Sequence, residues 1–127
     1  MAGVALAAVA DVMSRPWAWG QADCCTAACD VFARLHGVDP MASLRGGYAT
    51  RREAMRIIRS RGGWERMAAE LAAAAGLRGG AGEPGEIGVT LNGARGSLVI
   101  CVAPGQWAGK TASGFSTVRA VSGCWRV

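Results

Sequence analysis

A chain of 127 residues, 51% apolar and 18% charged, is long enough for one domain with a modest core, and this composition excludes a disordered tail. The net charge of +5 rests on thirteen Arg and a single Lys in an Ala- and Gly-rich background; such a bias reads as the signature of a GC-rich genome and is no binding signal by itself. Five Cys, an odd number with three crowded at Cys24, Cys25 and Cys29, argue against a disulfide framework and for free thiols, Cys101 and Cys124 included.

Met1 to Met13 is apolar and Ala-rich, but it has no basic leading region, Asp11 interrupts it, and it is too short to span a bilayer. It is expected to form a first helix from Ala2 to Ser14, packed through Val4, Leu6, Val9 and Val12. A second helix is expected from Asp23 to Leu35 or His36, stopped by Gly37. At about 100° per residue, Cys24, Ala28, Val31, Phe32 and Leu35 share an apolar stripe, Asp30 and Arg34 face away, and Cys25, Cys29 and His36 lie along one flank. Val38 to Tyr48 reads as a loop. Thr50 with Glu53 forms a capping box that opens a third helix, ended by Gly62-Gly63, and Trp64 to Ala75 forms a fourth, stopped by Gly76.

Arg78 to Pro84 is Gly-rich and reads as a linker between a helical half, 1–77, and a β half, 85–127, of one domain spanning 1–127. Short β-like runs follow at Ile87–Leu91, Ser97–Ala103, Gln106–Ala108, Phe115–Ala120 and Cys124–Val127, with Asn92-Gly93 as a hairpin signal. Helices followed by a small antiparallel sheet make the class α+β.

The chemistry concentrates at Asp23-Cys24. An Asp N-cap followed by a Cys puts a thiol where unpaired backbone N–H groups and the helix dipole lower its pKa and make it a nucleophile. A cysteine peptidase also needs a base. The sole histidine, His36, lies twelve residues along the same helix, roughly 18 Å away, and cannot serve. A base would have to be an Asp, Glu or Lys, or come from a partner; otherwise Cys24 is a small buried residue. Cys25 and Cys29, at i,i+4, lack further ligands at usable spacing, so no metal and no cofactor is expected. The Arg are not interleaved with the five Trp, and Arg51, Arg52, Arg56, Arg59 and Arg61 read as a solvated helix face, so no nucleic-acid partner is expected. Gly79-Gly80-Ala81-Gly82 lacks the Lys and Ser/Thr of a phosphate loop.

Trp19-Gly20 followed by Asp23-Cys24 resembles the opening of the NlpC-type cell-wall cysteine peptidases. Pro84-Gly85-Glu86-Ile87 resembles the segment that opens their first strand, with Glu for Asp. Ser97 to Val102 resembles the strand that begins with their catalytic His, a position that Ser97 takes here. Their third polar position falls near Trp107 or Ala108, neither of which can orient an imidazole. The chain is also similar, from Pro16 to Val127, to a family of short phage and prophage proteins. The shared features are the Trp-Gly…Asp-Cys start, the Val38 to Tyr48 loop, Arg61 to Gly63, an Ile-Cys strand, and Trp125-Arg126-Val127.

The resemblance implies a minimal papain-like, NlpC-type domain. It implies a tail-tip or baseplate component of a siphophage-like virion, made in the bacterial cytoplasm, in which catalysis is lost or altered. The alternative is an active peptidoglycan peptidase or amidase with Cys24 as nucleophile and an unorthodox base; a prophage-encoded inhibitor or toxin-like module is a third class. The expected partners are other tail-tip or hub proteins, with peptidoglycan a further candidate. The Ala-rich first helix and Trp125, Arg126 and Val127 are the expected contacts, and removal of those last three residues is expected to leave the domain folded.

Overall fold

Local signals set the helix ends. In the computed structural model, which describes residues 1–93 and 95–127, α1 spans Ala2–Met13, α2 Cys24–His36, α3 Arg51–Ser60 and α4 Trp64–Ala74. Asp23 caps α2 with its carboxylate, and Gly37 ends it in the left-handed conformation at φ +73°, where a side chain would be strained. Thr50 caps α3 by accepting from the Glu53 amide; the Glu53 carboxylate accepts from the Ala49 amide and the Thr50 hydroxyl. No helix among the described residues is long and apolar enough to cross a membrane.

The described strands are β1 Arg78–Gly79, β2 Ile87–Asn92, β3 Arg95–Ala103, β4 Gln106–Thr111, β5 Gly114–Val118 and β6 Gly123–Arg126. They form one antiparallel sheet in the order β1-β6-β2-β3-β4-β5. The protein is thus α+β, four helices followed by a six-stranded antiparallel sheet. The β2–β3 hairpin pairs Asn92 with Arg95, so Asn92 closes the ladder and Gly93, at φ +65°, enters the turn.

Alternation along the strands sorts the sheet into two faces. Ile87, Val89, Leu98, Ile100, Val102 and Ala108 join the main core with Val9, Val12 and Met13 of α1, Val31 and Phe32 of α2, and Met67 and Leu71 of α4. On the other face Val99, Cys101 and Trp107 form a small second core, covered by Val121 and Cys124.

Three expectations need correction. Val4 and Leu6 do not pack in the core: they are 61% and 46% exposed, and α1 buries Ala5, Ala8, Val9, Val12 and Met13 instead. Small side chains on that face let α1 lie close against α2 and β3. Arg78–Gly79 is no linker but an edge strand, pairing Arg78 with Arg126 and Gly79 with Trp125. The C-terminal residues are not a loose end. Gly123–Arg126 lies between β1 and β2, with Trp125 opposite Ile87 and packed against the main core, so removing 125–127 takes out an interior strand. Arg126 and Val127 remain exposed.

The β3–β4 ladder is the irregular one. It shifts register between Cys101 and Ala103 and ends at Ile100 with Ala108, although β3 runs on to Arg95 beside β2 and β4 to Thr111 beside β5. Ladder pairing therefore stops short of Leu98 and Ser97 and leaves a gap in the backbone bonding, although Gly109 of β4 still lies beside Ser97 and Val99. In an antiparallel strand the N–H and C=O of one residue point to the same side, and neighbours alternate. Cys101 bonds to Glu86 on the β2 side, so Leu98, an odd number of residues away, directs its amide toward the gap.

Candidate functional site

The head of α2 points into that gap. Asp23 is 1% exposed, and its two oxygens accept five hydrogen bonds: from the amides of Gly20, Cys25 and Thr26, and from the hydroxyls of Thr26 and Tyr48. Thr26 Oγ1 in turn accepts from the Asp23 amide at 2.9 Å, which closes a reciprocal capping box. Gly20 sits in the turn before it at φ +84°, so close to the Tyr48 carbonyl that no side chain fits. The turn, the cap and Tyr48 thus lock one another, and they fix the first residue of the helix, Cys24.

Cys24 is half-buried, and the groups beside its sulfur that act on its ionisation are the Cys25 thiol, the Ser97 hydroxyl and the Leu98 amide. The Ser97 hydroxyl donates to the Leu98 carbonyl at 2.8 Å and can turn to the sulfur when that is ionised. The Cys25 thiol does most to lower the Cys24 pKa below that of an ordinary thiol, with Ser97 and Leu98 adding to it against burial and the Asp23 charge. Cys25 moves the other way, well above the usual range, because the neighbouring Cys24 takes the charge first and because Cys25 is buried; Cys29 is raised by burial. Of the three crowded cysteines, Cys24 is the one whose ionised form its surroundings favour. All five cysteines carry free thiols.

In front of Cys24 opens a cleft of about 340 Å³. Trp17, Trp19, Met55, Ile58 and Trp64 supply apolar walls, Tyr48 and Asp23 the polar end, and Arg51 and Arg95 line it beside them. Trp64 lies against Gly96 of β3, where any side chain would overlap its ring. Trp17 and Trp19 meet edge to face, with ring centres 5.1 Å apart and planes at 76°.

The lining holds no base ready for neutral pH. Both Asp23 oxygens are committed to donors, burial and the bond from its own hydroxyl to Asp23 push Tyr48 above the ordinary phenol range, and a guanidinium carries donors only. His36 is elsewhere, with Nε2 2.8 Å from the Gly85 carbonyl and its ring against Phe32. Trp107 is buried in the second core and Ala108 in the main one, and neither lines the cleft. Glu86 is 4% exposed and accepts from the Ala81 and Gly82 amides, which folds the 80–86 loop. The one lysine, Lys110, is buried and donates to the Met13 and Arg15 carbonyls, tying β4 to the end of α1. Among the described residues no group of three or more His, Cys, Asp or Glu could hold a metal ion.

Asp23, Cys24 and Ser97 therefore lie together, while Trp125 and Arg126 belong to β6 and Val127 follows it. Tyr48, Thr26, Trp64, Arg51 and Arg95 were missed. Asp-Cys-Cys-Thr did carry the spacing of a reciprocal cap for Thr26; the others arrive from separate elements and leave no local signal.

Residues 4–127 match the domain of unknown function DUF6950. The chain belongs to this family. No curated protein and no solved structure matches it. In this DUF6950 member the match takes in every residue of the cleft and all but the first two residues of α1.

Proposed function

We propose that the protein is a tail-tip or baseplate component of a siphophage-like particle, built on a minimal papain-like, NlpC-type domain whose peptidase chemistry has lapsed. The observation that carries the reading is the partner of Cys24. A thiol at the head of a helix is set against a strand as a cysteine peptidase requires, yet its neighbours there are the Ser97 hydroxyl and the Leu98 amide. Neither accepts a proton near neutral pH, and the carboxylate lining the cleft, Asp23, has both oxygens engaged by donors. The order of helices and then antiparallel strands supports the same reading, as does the sequence resemblance on which the phage assignment rests.

The lowered pKa of Cys24 favours one alternative, an active peptidoglycan peptidase or amidase that draws its base from a partner. Two measurements separate them. The protein is expected in purified particles at a fixed ratio to other tail proteins, and it is expected not to turn over peptidoglycan stem peptides, alone or within particles. Turnover abolished by Cys24→Ala would establish the enzyme. Absence from particles would remove the assembly role.

A further inference from the structure

We propose that the cleft in front of Cys24 is a docking pocket for an acidic segment of a neighbouring protein, which inserts one apolar side chain between the tryptophans and sets carboxylates against Arg51 and Arg95. The proposal rests on the reading that this cleft binds without hydrolysing, and it names the kind of partner.

Charge is the first argument. Residues 51–61 carry five arginines and one acidic residue, Glu53, which is spent on the α3 cap. Arg52, Arg56 and Arg59 are exposed and follow one another at i, i+4 and i+7, so like charges stack along one line of the helix, an arrangement that costs stability without an anion. Arg51 starts the same helix and turns to the cleft, and Arg95 enters it from β3. The ion pairs among the described residues use Arg15, Arg34, Arg45 and Arg66, and neither cleft arginine is among them. The carboxylate that lines the cleft, Asp23, is spent on its own five donors and pairs with neither arginine.

The shape of the cleft is the second argument. Its apolar lining comes from Trp17, Trp19, Trp64 and Met55, and about 340 Å³ holds one or two side chains. An apolar pocket beside rigid guanidinium forks is the usual form of a protein anchor site. Single-stranded nucleic acid also unites Trp with Arg, but it needs aromatic faces on which successive bases stack. Trp17 and Trp19 stand at 76° to each other and Trp64 has its ring against Gly96, so the rings do not line up as a platform for successive parallel bases.

The probe is a short fluorescein-labelled peptide with a single Leu flanked by glutamates, its binding read by anisotropy. The expected result is saturable binding that is lost when the glutamates are replaced by glutamine and weakened when the Leu is replaced by Gly. It should also weaken by about tenfold or more in Arg51→Gln and in Arg95→Gln, the size of one charge-assisted hydrogen bond. Both side chains are exposed, so each variant should keep the wild-type near-UV spectrum. Arg119→Gln removes the same charge from an exposed site outside the cleft and should bind as wild type. Equal weakening by Arg119→Gln, indifference to either cleft arginine, or binding of the glutamine peptide as tight as the glutamate one overturns the proposal. So does displacement of the peptide by a lower concentration of oligothymidylate, or recovery of the peptide cleaved. Presence in particles without peptide binding would sink the pocket and leave the assembly reading standing; peptide binding by a protein absent from particles would do the reverse.

Discussion

Asp23 does at the residue scale what a cap does and more, because its second oxygen reaches beyond the helix to Gly20 and Tyr48. Asp23→Ala removes the cap and leaves the Tyr48 hydroxyl without its acceptor, so the expected loss is roughly 3 kcal/mol, the sum of a cap and an unpaired buried donor. Thr50→Ala, which removes an exposed cap alone, should cost about 1 kcal/mol; urea midpoints compare the two, and equal losses would mean that the Tyr48 bond adds nothing. The Cys24 thiol gives a second prediction. Its folded pKa is lowered, so its alkylation rate should reach half its plateau at a lower pH than that of the same thiol in the unfolded chain. Ser97→Ala removes one donor to the thiolate and should move that midpoint up. A midpoint unchanged in Ser97→Ala would separate Ser97 from the thiol. Peptide mapping should find the label on Cys24 before Cys25 or Cys29, whose pKa values are raised.

Among the elements, two contacts without room for a side chain hold the cleft open. Gly96 of β3 lies under the Trp64 ring, and Gly20 lies against the Tyr48 carbonyl in a left-handed turn. Gly96→Ala must push Trp64 off the strand, an overpacking cost of about 1–3 kcal/mol. Gly20→Ala adds backbone strain to a clash with backbone and should cost more. Thermal unfolding checks the order, and a Gly20→Ala loss smaller than that of Gly96→Ala would contradict it. What could be read from sequence follows from range. Asp23, Gly37, Thr50 and Gly76 act within a turn of themselves, and the limits of α2, α3 and α4 were legible from them. The strand at 87–91 and the one at 97–103 were legible through β-branched runs between glycines. β1 was not, because two residues in a Gly-rich stretch become a strand only by pairing with residues 125 and 126. Nor was the extension of β4 through Gly109, Lys110 and Thr111, residues of which the first two are poor strand formers and which β5 holds in register. The facing of α1 was misread because hydrophobicity favoured Val4 and Leu6, whereas close helix packing selected Ala5 and Ala8. Cys24 and Ser97 could be paired through a resemblance, but a pocket assembled from Trp17, Tyr48, Arg51, Trp64 and Arg95 has no contiguous signature.

Taken as a whole, the molecule buries acids of two kinds, and they set opposite limits on its pH range. Asp39 and Glu86 have folded pKa values held below the carboxylate range, by Arg45 and by the Gly82 and Ala81 amides respectively, against burial. A lowered folded pKa gives stability that is present above the unfolded value, near 4, and lost as pH falls through the folded one. The thiols act in reverse. Burial raises Cys25, Cys29 and Cys124, and carries Cys101 to about 11. Between the unfolded thiol value, near 8.5, and the raised folded value, the folded chain holds more protons than the unfolded one, so stability falls as pH rises. Tyr48 extends this loss to higher pH. Lys110 opposes it, since burial lowers its pKa and a lowered lysine gains stability as pH rises toward 10.5. With several raised acids against one lowered base, the net slope should be downward. Urea midpoints in the presence of a reductant are therefore expected to rise toward about pH 8.5, where the lowered Cys24 contributes, and to fall steadily above it. Cys101→Ala leaves the other thiols in place and should flatten the part of the fall that ends near pH 11, though it lowers stability near neutrality by opening a small cavity in the second core. Stability that rises between pH 8.5 and 10, or a slope the same in Cys101→Ala as in the wild type, would show that these thiols are not held protonated by the fold.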